Sequence, residues 1–198
     1  TGNHPGIIEY KGRHYVFGFS FILNFAITDQ HHERRSVGVA ELKFNDDGSI
    51  EELPWWAEAE PVEQLHTLDP YARVEGETIA WSEGIKSERI DVGGRAVYPK
   101  RDGAYIKVQG VDFGEGARAF TASVRFDAEG SDESAVLRLH LDGTEGPLLG
   151  TLRLTDTGGN WKIETIDVNG ATGVHDLYLV FDGAAAPRAR LDFWQFSR

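Results

Sequence analysis

Glu75 and Glu77 stand two residues apart in a stretch whose pattern predicts a strand, so both carboxylates are expected on one face. Two like charges held that close repel unless water solvates them or a cation bridges them. Adjacent Trp55 and Trp56 offer a second kind of chemistry, because indole faces stack on the C–H faces of sugar rings as readily as they pack into a protein core. The run His31-His32-Glu33-Arg34-Arg35 concentrates imidazoles and guanidinium forks, and by itself reads as a solvated loop of mixed charge. A single His4 near a strand start reads as a hydrogen-bonded histidine. There is no Cys, which excludes disulfides, thiolate metal sites and a cysteine nucleophile.

The elements that must position these groups are strands. Val136–Asp142, Gly146–Leu152, Gly173–Phe181 and Leu191–Phe196 alternate apolar and polar residues as half-buried antiparallel strands do. From Tyr71 onward such segments recur about every ten residues between Gly-rich turns, the spacing of a Greek-key β-sandwich. Helical periodicity is scarce, and the fold class is all-β. The 198 residues suffice for one large or two small domains. A formal net charge of −12 argues against nucleic acid or an anionic membrane as partner. No apolar run approaches the length of a membrane span, and no basic-then-apolar leader opens the chain. Thr1 is not an initiator, which suggests a processed product or a piece of something longer.

Three regions are expected. In residues 1–52, Ile7–Tyr10 and Tyr15–Phe19 flank a Lys11-Gly12-Arg13 turn, and Ser36–Phe44 returns through Asn45-Asp46-Asp47-Gly48 to Ser49-Ile50. Two hairpins cannot bury both faces alone, so this region needs a partner sheet. Residues 53–70 hold Pro54, Pro61 and the tryptophan pair, and read as an ordered connector whose indoles pack on a neighbour. Residues 71–198 form the sandwich.

The sandwich region resembles the family 6 carbohydrate-binding modules. Leu68–Trp81, Gly93-Gly94, Tyr105–Val108, Val111–Gly114, Thr157-Gly158-Gly159-Asn160-Trp161 and Leu191–Phe196 carry the likeness. The resemblance implies a jelly-roll-like sandwich with a structural Ca2+ on Glu75, Glu77 and Asp192. It also implies a loop-built sugar cleft, where an aromatic after the Gly-Gly segment and a Trp clamp a sugar that an Asn holds by its hydroxyls. Here Tyr98 is the aromatic, one position early, with Pro99 in the usual slot. Asn160 is inserted before Trp161, Arg190 stands where the Asn is expected, and Ala104 replaces a common Asp. Tyr98, Trp161 and Arg190 either rebuild an aromatic-plus-donor site with altered preference or leave a closed cleft.

Asn3–Gly12 and His31–Val37 resemble the final blade of the family 43 glycoside hydrolases, five-bladed β-propellers that remove arabinose or xylose from xylan. By this resemblance His4 corresponds to an axial histidine beside a metal ion. Arg34 or Arg35 would reach a sugar subsite as a bidentate donor. Glycoside hydrolysis needs a pair of carboxyl groups about 5–10 Å apart, and the segments that supply them in that family are not matched here. The fold expected is therefore a propeller fragment followed by a β-sandwich. The expected partners are xylan or arabinoxylan and the remaining blades of a secreted or periplasmic bacterial arabinofuranosidase or xylosidase. The alternatives are a module that only braces the hydrolase, or one half of a split one.

Overall fold

A computed structural model describes residues 4–21, 36–55, 62–64, 66–90, 93–128 and 134–198. Arg34, Arg35 and Trp56 lie outside the described residues. The described chain is all-β apart from one 3-10 turn, Ala186–Arg188, and divides into two units, Thr1–Gln64 and Leu65–Arg198. The division falls after Gln64, inside the stretch expected to connect the regions.

Among the described residues the first unit holds a three-stranded antiparallel sheet in the order β1 (Gly6–Tyr10), β2 (Arg13–Ser20), β3 (Ser36–Leu42). Lys11 and Gly12 both take positive φ, 54° and 75°, which closes the first hairpin with a two-residue turn matched to strand twist. The second expected hairpin is reduced to a single bridge, Phe44 to Ile50, around Gly48. Val16, Ala40 and Leu42 make a small cluster, and Leu53 packs on it. Trp55, expected to pack on a neighbour, is 79% exposed.

The second unit is a sandwich of two antiparallel sheets. One runs β11 (Leu148–Leu154), β10 (Ala135–Leu141), β13 (Val174–Asp182), β8 (Ala104–Asp112), β5 (Trp81–Glu83). The other runs β12 (Lys162–Asp167), β9 (Ala119–Phe126), β14 (Ala189–Ser197), β7 (Arg95–Pro99), β6 (Ile85–Arg89), with β4 (Val74–Glu75) also paired to β14. Apart from the hairpins β6–β7 and β10–β11, consecutive strands sit in different sheets, as Greek-key connections require. Alternation aims Leu137, Leu139, Leu177 and Leu179 inward from the first sheet. Phe120, Val124, Trp194 and Phe196 meet them from the second. Phe120 stacks on Trp194, and Phe196 stands edge-on to both rings and to Phe113. This dry centre fixes the register that arranges the outer faces.

Candidate ligand-binding face

Each inward residue of the second sheet has outward neighbours, and those neighbours line up across strands distant in sequence. Arg190 on β14 pairs directly with Arg125 on β9, and Tyr98 on β7 pairs with Lys86 on β6. Trp161, one residue before β12, continues the row beyond Arg125. The Arg190 guanidinium lies 4.4 Å from the centre of the Tyr98 ring, and that of Arg125 lies 5.2 Å from the Trp161 ring. Glu88 on β6 ties the two together: its Oε1 accepts from Arg190 Nε at 2.8 Å and from Arg125 Nη2 at 3.1 Å. Arg190 Nη1 also donates to the carbonyls of Pro187 and Ala189 at 2.9 Å. The result is one unbroken row: tyrosine, arginine, glutamate, arginine, tryptophan.

Local sequence explains how the two aromatics are held. Gly93 and Gly94, at φ 86° and 90°, turn the chain into β7 in a backbone region few other residues adopt. At the other end, Asp156 Oδ1 accepts the backbone N–H groups of Gly158 at 3.0 Å and Ala128 at 3.3 Å. Those backbone bonds, Gly158 first, hold its carboxyl below the usual aspartate range. Thr157 Oγ1 bonds the backbone of Phe126, and Asn160 Nδ2 donates to the Gly158 carbonyl at 3.1 Å. The inserted Asn160 is thus absorbed inside the loop, and Trp161 emerges on the same face as Arg125. Tyr98, Trp161 and Arg190 are brought together. Glu88 and Arg125 belong to the row as well, and sequence reasoning missed them. Their only signal was placement on the outward register of strands that become neighbours through folding.

The carboxylates expected to hold Ca2+ are arranged differently from the expectation. β4 ends at Glu75, so Glu77 lies on a turn and not on a strand; Thr78 N–H donates to the Glu75 carbonyl at 2.9 Å and closes it. Asp192 is the extra residue of a β-bulge in β14, where Leu191 opposes Val124 and Phe193 opposes Ser123. Asp192 is only 9% exposed there, and burial raises its carboxyl above the ordinary range, with Glu75 adding to the rise against Arg73 and Ser123. Arg73 forks onto Glu75 at 2.8 and 3.0 Å, stands 3.8 Å from Asp192 and covers the Phe193 ring at 4.0 Å. Among the described residues no three metal-binding side chains converge at ligand spacing. The donor set nevertheless fits a hard cation: Glu77 Oε2 is buried with no hydrogen-bond partner, beside carboxylates that one arginine cannot neutralise. Gly76 keeps this corner open, since a Cβ there would stand 2.7 Å from the Leu191 carbonyl.

In the first unit, exposed His4 leads into β1 and joins no metal-binding cluster among the described residues. On the opposite sheet of the sandwich, Tyr105 and Tyr178 lie with ring centres 5.8 Å apart, beside a Lys107–Asp176 ion pair at 2.8 Å.

A two-sheet antiparallel sandwich with an outward row of aromatic rings and hydrogen-bond donors is the architecture of a carbohydrate-binding module. The sequence profile described as "Carbohydrate binding module (family 6)" matches residues 75–198, more than half of the chain, and the chain belongs to that family. An arabinoxylan arabinofuranohydrolase of Paenibacillus polymyxa is 34% identical over 204 residues, covering 98% of this chain and 31% of its own length. Another, from Bacillus subtilis strain 168, is 35% identical over 201 residues, covering 97% of this chain and 38% of its own. This chain therefore spans about a third of the length of these relatives. The crystal structure of a Bacillus subtilis glycoside hydrolase family 43 arabinoxylan arabinofuranohydrolase with cellotetraose superimposes with TM-score 0.88 at 34% identity, over 100% of this chain and 41% of that one. A family 6 module from Clostridium cellulolyticum in complex with xylose gives TM-score 0.60 at 32% identity, over 66% of this chain and all of that one.

Proposed function

We propose that this chain is the carbohydrate-binding end of a secreted bacterial arabinoxylan hydrolase, and that it grips xylan through the row from Tyr98 to Trp161. The observation that carries this is the convergence of Tyr98, Arg190 and Trp161, from three separate segments, on one outward face of a family 6 module. Ring faces supply apolar contact with sugar C–H groups, and guanidinium edges supply directional bonds to hydroxyls. Residues 1–52 form the end of the parent's last propeller blade, and the parent's other blades supply the hydrolytic carboxylates. The exposed apolar residues of β1 and β2, Ile7, Ile8, Tyr10 and Phe17, suit a sheet that expects a neighbour. Glu75, Glu77 and Asp192 would hold the structural Ca2+, which when bound supplies positive charge to that corner.

Titration calorimetry with xylohexaose tests the binding. We expect measurable heat with the unaltered chain and an affinity lower by about 5- to 30-fold in Trp161→Ala, the loss of about 1–2 kcal/mol of aromatic contact. Absence of heat at millimolar ligand would overturn the proposal. One observation favours a second reading, a module that only braces its hydrolase: both ring faces already carry a guanidinium. Full binding by Trp161→Ala together with Tyr98→Ala would move the sugar off this row, to the face bearing Tyr105 and Tyr178.

A further inference from the structure

The row between the two rings is cationic in a protein that is otherwise strongly acidic. Four positive side chains serve it. Arg190 and Arg125 sit on the rings, Lys86 lies opposite Tyr98 across the strand pair, and Lys100 has its Nζ 6.0 Å from the centre of the Tyr98 ring. Glu88 is the carboxylate that answers them, and both arginines bond the same one of its oxygens, Oε1. Against the net charge of −12 for the whole chain, this is a concentrated reversal of sign. A neutral pentose needs donors but no excess charge. The position where the family resemblance expects a neutral amide instead carries Arg190, a permanent cation.

Building on the proposed sugar-binding role of this face, we propose that it selects polysaccharide bearing uronic acid groups over neutral chains. The sugar ring lies against Tyr98 or Trp161. Its carboxylate takes the N–H groups of Arg190 and Arg125 that neither Glu88 nor the Pro187 and Ala189 carbonyls use, and Lys86 and Lys100 add a field that draws an anion in. The contact is ionic at a part-exposed site, so salt weakens it.

Three probes separate the possibilities in titration calorimetry: xylo-oligosaccharides carrying glucuronic acid branches, the same preparation after carboxyl reduction, and neutral xylohexaose. We expect the acidic preparation to bind about tenfold more tightly than its reduced form at 20 mM salt. The difference should shrink to about twofold or less at 1 M salt, and likewise in Arg125→Gln and in the more exposed Lys100→Gln. Equal affinity for acidic and reduced ligands overturns the uronate preference and leaves the sugar-binding proposal standing. No binding by any of the three overturns both. The comparison of ligands on the unaltered chain decides the matter even if a variant fails to fold.

Discussion

Replacing Glu88 with Gln removes a charge while keeping the shape of the side chain, and the structure fixes what must follow. Two guanidinium groups that share one oxygen lie about 5 Å apart, and their mutual repulsion runs from about 0.8 kcal/mol in water to about 3 kcal/mol at an effective dielectric of 20. The three side chains are 20%, 31% and 34% exposed for Arg190, Glu88 and Arg125, so the solvent-screened end of that range applies. Two charge-assisted hydrogen bonds also become ordinary ones. The net cost is about 1–2 kcal/mol, which for a domain of this size lowers the melting temperature by about 3–8 °C. Thermal unfolding followed by near-ultraviolet circular dichroism, at 50 mM and 1 M NaCl, measures it. The drop should be largest at low salt and smaller at high salt, where the arginines no longer feel each other. A melting temperature within one degree of the parent at low salt would refute the bridge as a contributor, and an equal drop at both salts would refute its electrostatic origin.

Four more outcomes are expected. Gly76→Ala drives a Cβ against the Leu191 and Asp192 carbonyls, at 2.7 and 2.9 Å; unfolding experiments should show a loss of about 2 kcal/mol and no further response to calcium. In the unaltered chain calcium at about a hundred times its dissociation constant should add about 2.7 kcal/mol, removable by chelator. Because Asp192 has a raised carboxyl pKa, it is protonated in the folded state over a window just above the ordinary aspartate range. Without metal, stability falls as pH rises through that window; with calcium, which needs the ionised form, the added stability fades as pH falls through it. Asp156→Ala removes the acceptor for the Gly158 and Ala128 amides, so it should weaken xylohexaose binding through a loosened Trp161 loop, read by calorimetry alongside an unchanged far-ultraviolet spectrum.

Alternation made the sandwich legible in the chain itself. Leu137, Leu139, Leu177 and Leu179 announce their inward face because a two-residue period survives any arrangement of strands. The turn at Lys11 and Gly12 was legible for the same local reason. Glu77 was not, since a strand pattern says nothing of a turn that begins after Glu75. Asp192 is buried at a bulge, which no alternation forecasts. The bridge through Glu88 was hidden most deeply. Glu88 lies 37 residues from Arg125 and 102 from Arg190, and only the strand order of the second sheet makes them neighbours. Local periodicity finds faces; long-range pairing decides which faces share a row.

The central claim is that sugar docks between Tyr98 and Trp161, and the indole N–H signals of the tryptophans report on it individually. In a heteronuclear NMR titration of the chain with xylotetraose, the Trp161 indole signal should shift progressively with ligand. That of core-buried Trp194 should stay still, and so should that of Trp81, on the opposite sheet. A shift confined to Trp81, or no shift at all at millimolar sugar, would contradict the account.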